Sequence, residues 1–179
     1  MSEILAFFLL SLALLYVSRC ALVKPNSHGF YRFFAWEAIL GLVLFDSPAS
    51  ADPVIQLLST LFLLSSLGLV IHAVALLMTN GKPTHERTDD ALFYFEKTSS
   101  LVTRGAFRYI RHPMYASLFF LTWGEFLKKI SWLGFCLALT SSFFLLLAAR
   151  REEEECLAHF GTEYQRYMKK TKRFIPFLY

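Results

Sequence analysis

The feature that most constrains this chain is its succession of long apolar runs. Ile4 to Cys20 holds a single charge, Arg19, and Val54 to Met78 holds none. Runs of this length match the roughly 20 residues an α-helix needs to cross a hydrocarbon core of about 30 Å. Backbone polar groups must be satisfied internally in lipid, so such runs form helices. With 55% hydrophobic residues and a mean hydropathy of +0.44, the 179 residues are too apolar for an ordinary soluble domain of this size. The predicted fold is all-α: an integral-membrane helical bundle of about five transmembrane helices with a short cytosolic helical C-terminal tail. Residues 1–179 read as a single domain, with N-terminal helices and a loop over 1–100 and a ligand-binding half over 101–179.

The helix boundaries follow from local chemistry. Helix one is predicted over about Ile4 to Val23, ended by Lys24-Pro25-Asn26-Ser27, because Pro cannot continue a helix and Asn and Ser favour turns. Glu3 stands at its start and its positive charges, Arg19 and Lys24, come at its far end, so it reads as a retained membrane helix, not a cleaved signal. Helix two spans about Phe30 to Phe45 and is stopped by Asp46-Ser47-Pro48. It carries Glu37, whose burial in a membrane calls for a partner or a polar cavity; a substrate contact and a local ion pair both satisfy that demand. Helix three runs from Val54 to about Met78, with His72 near its end as a packing residue. Thr79 to Thr98 is a polar loop with turn signals at Asn80-Gly81 and Lys82-Pro83, long enough to suggest a lid. Helix four starts at Pro113, where the missing N–H costs nothing, and ends near Leu127, short of a full crossing. Helix five follows from Ile130 to about Ala149. Arg150 to Phe160 reads as a helical tail stopped by Gly161, with Thr162 capping a further short helix and the last residues, from Arg173, packing back on the bundle.

Lys and Arg crowd the first and third loops and the tail. By the positive-inside rule those segments face the cytosol. The net charge of +4 is spread along membrane flanks, which suits a lipid bilayer and gives no nucleic-acid footprint. The cysteines, Cys20, Cys136 and Cys156, are far apart and lack metal-ligand spacing, so no metal site is expected and they read as helix-packing residues.

Two constellations carry chemistry. The first is LVTRGAFRYIRHPMY, Leu101 to Tyr115. Pro113 disfavours helix at His112, and the following helix aims free N–H groups at that point, favouring an anion. Arg108, Arg111 and His112 add donors, Gly105 permits a tight turn, and Tyr109 and Tyr115 offer flat faces. A carboxylate or phosphate beside an aromatic ring fits here, and so does a lipid headgroup. The second is Glu152-Glu153-Glu154-Glu155. Four consecutive residues at about 100° each cover a whole helix circumference, so at least one carboxylate faces the bundle, although such a run also suits a solvated face. A cationic and an anionic lobe around one pocket suit a zwitterion such as the methionine end of S-adenosylmethionine.

The ordered set LVTRGAFRYIRHPMY, the glutamate pair, FGTEYQRY (Phe160 to Tyr167) and the terminal RFIP (Arg173 to Pro176) resembles the isoprenylcysteine carboxyl methyltransferase family and the related membrane phospholipid methyltransferases. Ala106, Phe107 and Ser117 stand where the family pattern has Pro, Tyr and Gly. The resemblance covers about Leu101 to Pro176. It implies S-adenosylmethionine as cofactor and a lipophilic small molecule or lipidated substrate as acceptor. It implies that His112 and Tyr115 contact the methionine moiety and that Glu152 and Glu153 hold its ammonium. Leu101, Val102 and Gly105 would border the adenine, with Tyr109 nearby. A carboxylate acceptor would be oriented by Arg150, Arg151 or Arg173. An amine acceptor would need a base, for which Glu37 is available.

Overall fold

The computed structural model describes residues 2–45, 52–84 and 92–175. The helices are α1 (Ser2–Leu22), α2 (His28–Leu44), α3 (Pro53–Asn80), α4 (Pro113–Lys128), α5 (Trp132–Phe160) and α6 (Thr162–Lys170). The protein is a helical membrane bundle. α1, α3 and α5 are each long and apolar enough to cross a membrane. α2 and α4, with 17 and 16 residues, rise only about 26 and 24 Å at 1.5 Å per residue.

Each start has its local cause. Ser27 caps α2 by accepting from the Phe30 amide at 3.1 Å. Asp52 accepts from the Val54 amide at 2.8 Å, with Pro53 opening α3. Ser131 caps α5 through the Gly134 amide at 3.0 Å. Gly161, at φ +57°, ends α5 and serves as N-cap of α6, so Thr162 is the first residue of that helix and not its cap. The predicted stop at Asp46-Ser47-Pro48 and the terminal Pro176 lie outside the described residues.

The packing order runs α1 on α2, α2 on α5, α5 on α4 and α4 on α3. Small side chains make the central contacts close: Ala35 and Ala38 on α2 and Ala138, Ala148 and Ala149 on α5 are buried. At Gly124 an added Cβ would lie 2.9 Å from Leu63, so α3 and α4 approach through that glycine. Interfaces of small residues are the usual means of helix association in lipid, where burial of apolar surface gives little driving force. Buried hydroxyls add specific links. Ser59 donates to the Gly124 carbonyl at 2.9 Å, and Thr122 and Ser141 meet at 3.1 Å between α4 and α5. α1 and α3 turn most of their apolar side chains outward, toward where lipid would lie.

Two expectations change. The polar stretch after Ala149 is not a separate tail: α5 runs unbroken through Phe160. Arg and Glu are good helix formers and no breaker intervenes before Gly161, so the helix carries its carboxylates out of the membrane on a rigid shaft. Cys20 and Cys136 sit on exposed faces and do not pack the interior.

Candidate active site

Beyond the membrane-buried part of the bundle, the chain folds back on itself. The segment after α6 lies alongside the RHP segment: the Arg111 amide donates to the Lys172 carbonyl at 2.8 Å, the Lys172 amide to Tyr109 at 3.0 Å and the His112 amide to Arg173 at 3.2 Å. Phe174 is buried against His112 and Phe119. The Tyr167 hydroxyl donates to the Phe107 carbonyl at 2.6 Å. Burial pushes the Tyr164 and Tyr167 phenols well above their ordinary range, so both stay protonated. Gly105 adopts φ +56°, and an added Cβ there would collide with His72 and Leu76 of α3. His72 accepts from the Ala106 amide at 3.3 Å, the packing role expected for it.

The four adjacent glutamates each face a different environment. Glu153 points into the fold-back. It accepts from Arg111 Nε at 2.8 Å and from Arg173 Nη2 at 2.6 Å, with His112 Nε2 at 3.3 Å. Glu154 turns to solvent and pairs with Arg151 at 2.6 Å. Glu155 accepts from the His28 amide at 3.0 Å and contacts its Nδ1, anchoring the start of α2. Glu152 opens onto a cavity of about 400 Å³, with its carboxylate 3.9 Å from His112 Nδ1.

That cavity lies within the roughly 300–1,000 Å³ typical of small-molecule sites. One side is formed by His112, Pro113, Tyr115 and Glu152, and another by the aromatic set Phe107, Phe160, Tyr164 and Tyr167. Leu101 and Val102 border the same space, and Val70, Val74, Met114 and Leu118 make an apolar wall. The His112 and Tyr115 rings stack at 5.6 Å. A carboxylate, an imidazole and several aromatic faces around one cavity can hold a ligand that joins an ammonium to a flat ring.

Leu101, Val102, Arg111, His112, Pro113, Tyr115 and Glu152, all singled out from the sequence, meet at the cavity. Gly105, Tyr109, Glu153, Arg150, Arg151, Arg173 and Glu37 do not line it. Glu153 is engaged by two guanidiniums, and Arg173 is consumed by it. Gly105 is pressed against α3, and Tyr109 is half exposed. Arg150 is exposed and Arg151 pairs with Glu154 on the outer face of α5. Glu37 accepts from Ser11, tying α2 to α1, because its turn of α2 faces α1 and not the cavity. Sequence reasoning missed Arg32, Trp36, Phe93 and Glu96, which also line the cavity. Arg32 lies one and a half turns ahead of Glu37 in an apolar helix, and such an intramembrane charge was the available signal.

No individual curated protein matches the chain significantly. The family model for phospholipid methyltransferase matches residues 54–163. This span takes in α3, the loop, the RHP segment, α4 and α5 with its glutamates, which are the elements that build most of the cavity. The chain therefore belongs to the phospholipid methyltransferase family, a family of membrane methyltransferases that includes isoprenylcysteine carboxyl methyltransferase-like proteins.

Proposed function

We propose that the chain is an S-adenosylmethionine-dependent methyltransferase that forms a methyl ester on the carboxylate of a lipid-like or prenylcysteine-like acid. The observation that carries this reading is the placement of Glu152 beside His112 on the wall of a largely apolar cavity. Glu152 would take the cofactor's ammonium. His112, Tyr115 and the following helix start would face its carboxylate, and Leu101, Val102, Phe107 and Tyr164 its adenine. The cofactor supplies an electrophilic methyl group on a sulfonium. The protein's own contribution is positioning and exclusion of water: the fold-back of 171–174 braces the RHP segment, and apolar side chains of α3 and α4 line the cavity. Gly105, Tyr109 and Glu153 act as supports of this wall.

A carboxylate acceptor needs no general base, which accords with a wall whose imidazole stands between two carboxylates. The second reading, N-methylation of an amine lipid, is favoured by Glu96 and Glu152 on the same wall, since either can accept a proton. Residues 1–179 act as one domain in both. The RHP segment, the polar end of α5 and α6 share one end of the bundle and concentrate the basic residues, so we place that end in the cytosol.

Transfer of labelled methyl from S-adenosylmethionine to lipid extracts by the purified protein in lipid nanodiscs tests these readings. Base-labile label in acidic lipids or prenylated acids is the expected result. Base-stable label in amine lipids would replace it with the second reading. Absence of both transfer and cofactor binding would overturn the methyltransferase assignment of this cavity.

A further inference from the structure

The cavity has a second charged cluster on its wall, supplied by α2 and the loop after α3. Arg32 on α2 is buried, and its guanidinium donates to Glu96 Oε1 at 2.6 Å. It lies over the Phe93 ring at 4.4 Å and the Trp36 ring at 5.1 Å. Those two rings stack on each other at 5.8 Å and 18°. Arg32, Trp36, Phe93 and Glu96 all line the cavity, next to the apolar wall made by Val74 and Met114. The partners differ in what holds them. Arg32 sits in a helix packed along α5, whereas Glu96 ends a short 3-10 turn, Tyr94–Glu96, in the loop after α3. The other guanidinium on the cavity wall, Arg111, is committed to Glu153 and to backbone carbonyls.

Resting on the methyl-transfer reading above, we propose that Arg32 is the acceptor-orienting cation and that Glu96 is its resting counter-ion, replaced by the carboxylate of a long-chain acid. Removing one partner of a buried ion pair is costly, but exchanging one carboxylate for another leaves the guanidinium's charge compensated. The exchange is then decided by burial of the acceptor's chain against the apolar wall. The aromatic faces keep the guanidinium plane oriented, and a planar fork matches a carboxylate in two-point geometry. The bound carboxylate oxygen then forms the new O–CH₃ bond as the methyl–sulfur bond breaks. The electron pair stays on sulfur, which leaves as a thioether, and no proton is released. An amine acceptor meets the opposite situation, since its ammonium would have to approach Glu96 against the adjacent guanidinium. The pair therefore selects acids over amines.

The test uses Trp36 as its own reporter. With Trp123→Phe and Trp132→Phe in place, Trp36 is the remaining tryptophan, and its fluorescence is titrated with hexadecanoic acid and with hexadecylamine in nanodiscs. The acid is expected to bind at least about tenfold tighter than the amine, in line with a charge-assisted hydrogen bond. Glu96→Gln should tighten the acid several-fold by removing the competing anion. Arg32→Lys should weaken it about tenfold or more through loss of the fork. The double variant Arg32→Gln/Glu96→Gln removes both members of the ion pair and should erase the discrimination. Equal binding of acid and amine by the parent, or acid binding unchanged in the double variant, overturns the proposal. Preferential amine binding lost in Glu96→Gln also overturns it, and assigns the site to an ammonium acceptor. S-adenosylmethionine binding is measured separately by calorimetry. Its absence in the parent would sink the methyltransferase reading of the cavity whatever the fluorescence shows, and acid selection fails or stands independently.

Discussion

The two charged clusters around the cavity are built on opposite principles. At the RHP end, one carboxylate, Glu153, is held by Arg111, Arg173 and His112, and backbone bonds join 109–112 to 172–173. At the α2 end, a helix-borne arginine meets a loop-borne glutamate beneath stacked rings. The first end is cross-linked through α4, α5 and the C-terminal segment, so it can be distorted only by breaking several contacts together. The second joins a helix to the loop after α3, and its charge pairing can change with the loop. A rigid end suits a ligand that every turnover shares, and an exchangeable end suits the component that varies. The dense motif thus marks where the structure is over-determined, and the specificity of the reaction is expected in the part of the wall that carries no motif.

Substitutions at the two ends should separate stability from binding. The largest effect is expected from Glu153→Ala. It leaves the partly buried Arg111 and Arg173 without their carboxylate, a change that costs up to about 3–5 kcal/mol. Thermal unfolding in nanodiscs should show a large drop in melting temperature, with cofactor binding lost only as a consequence. Retention of the parent's melting temperature would mean that the fold-back does not depend on this cluster. Next comes Glu152→Gln, one residue away in sequence. Cofactor affinity should fall by about 10- to 100-fold, as for loss of a charged hydrogen-bond partner, while the melting temperature stays near that of the parent. If Glu152→Gln unfolds the protein as Glu153→Ala does, the division of labour between the two glutamates is wrong.

Smaller effects sharpen the same contrast. Gly105→Ala forces a Cβ into His72 and Leu76 at a positive φ and should cost more than about 1 kcal/mol, read as a lower midpoint in thermal unfolding. Tyr167→Phe removes the bond to the Phe107 carbonyl and should cost about 1–3 kcal/mol, with the carbonyl left buried; faster hydrogen exchange over 105–110 would register it. Glu154→Ala removes an exposed pair and should leave both melting temperature and cofactor affinity unchanged. A measurable loss there would give the outer face of α5 a role that its exposure does not suggest.

Much of this was legible in the sequence, for physical reasons that differ by region. Apolar runs and breakers locate helices because lipid leaves few alternatives, so Pro53, Pro113 and Gly161 fall where helices begin or end. His112, Tyr115 and Glu152 were legible as cavity residues because a Pro-fixed turn and a helical carboxylate run have few ways to meet. Which glutamate does what was not legible. Adjacent positions differ by about 100° of rotation, and only the packed position of α5 decides that Glu153 meets the arginines and Glu152 the cavity. Arg173 and the continuous α5 were misplaced for a related cause: the sequence shows available charges, not which partner reaches them first. Arg32, Trp36, Phe93 and Glu96 come from segments 60 residues apart whose meeting depends on how the loop after α3 folds across α2.

The most direct test of the central claim is calorimetric titration of S-adenosylmethionine into the purified protein and its Glu152→Gln variant in nanodiscs. The account predicts saturable one-site binding by the parent and at least about tenfold weaker binding by the variant at an unchanged melting temperature. Equal affinities, or no binding by a folded parent, would contradict it.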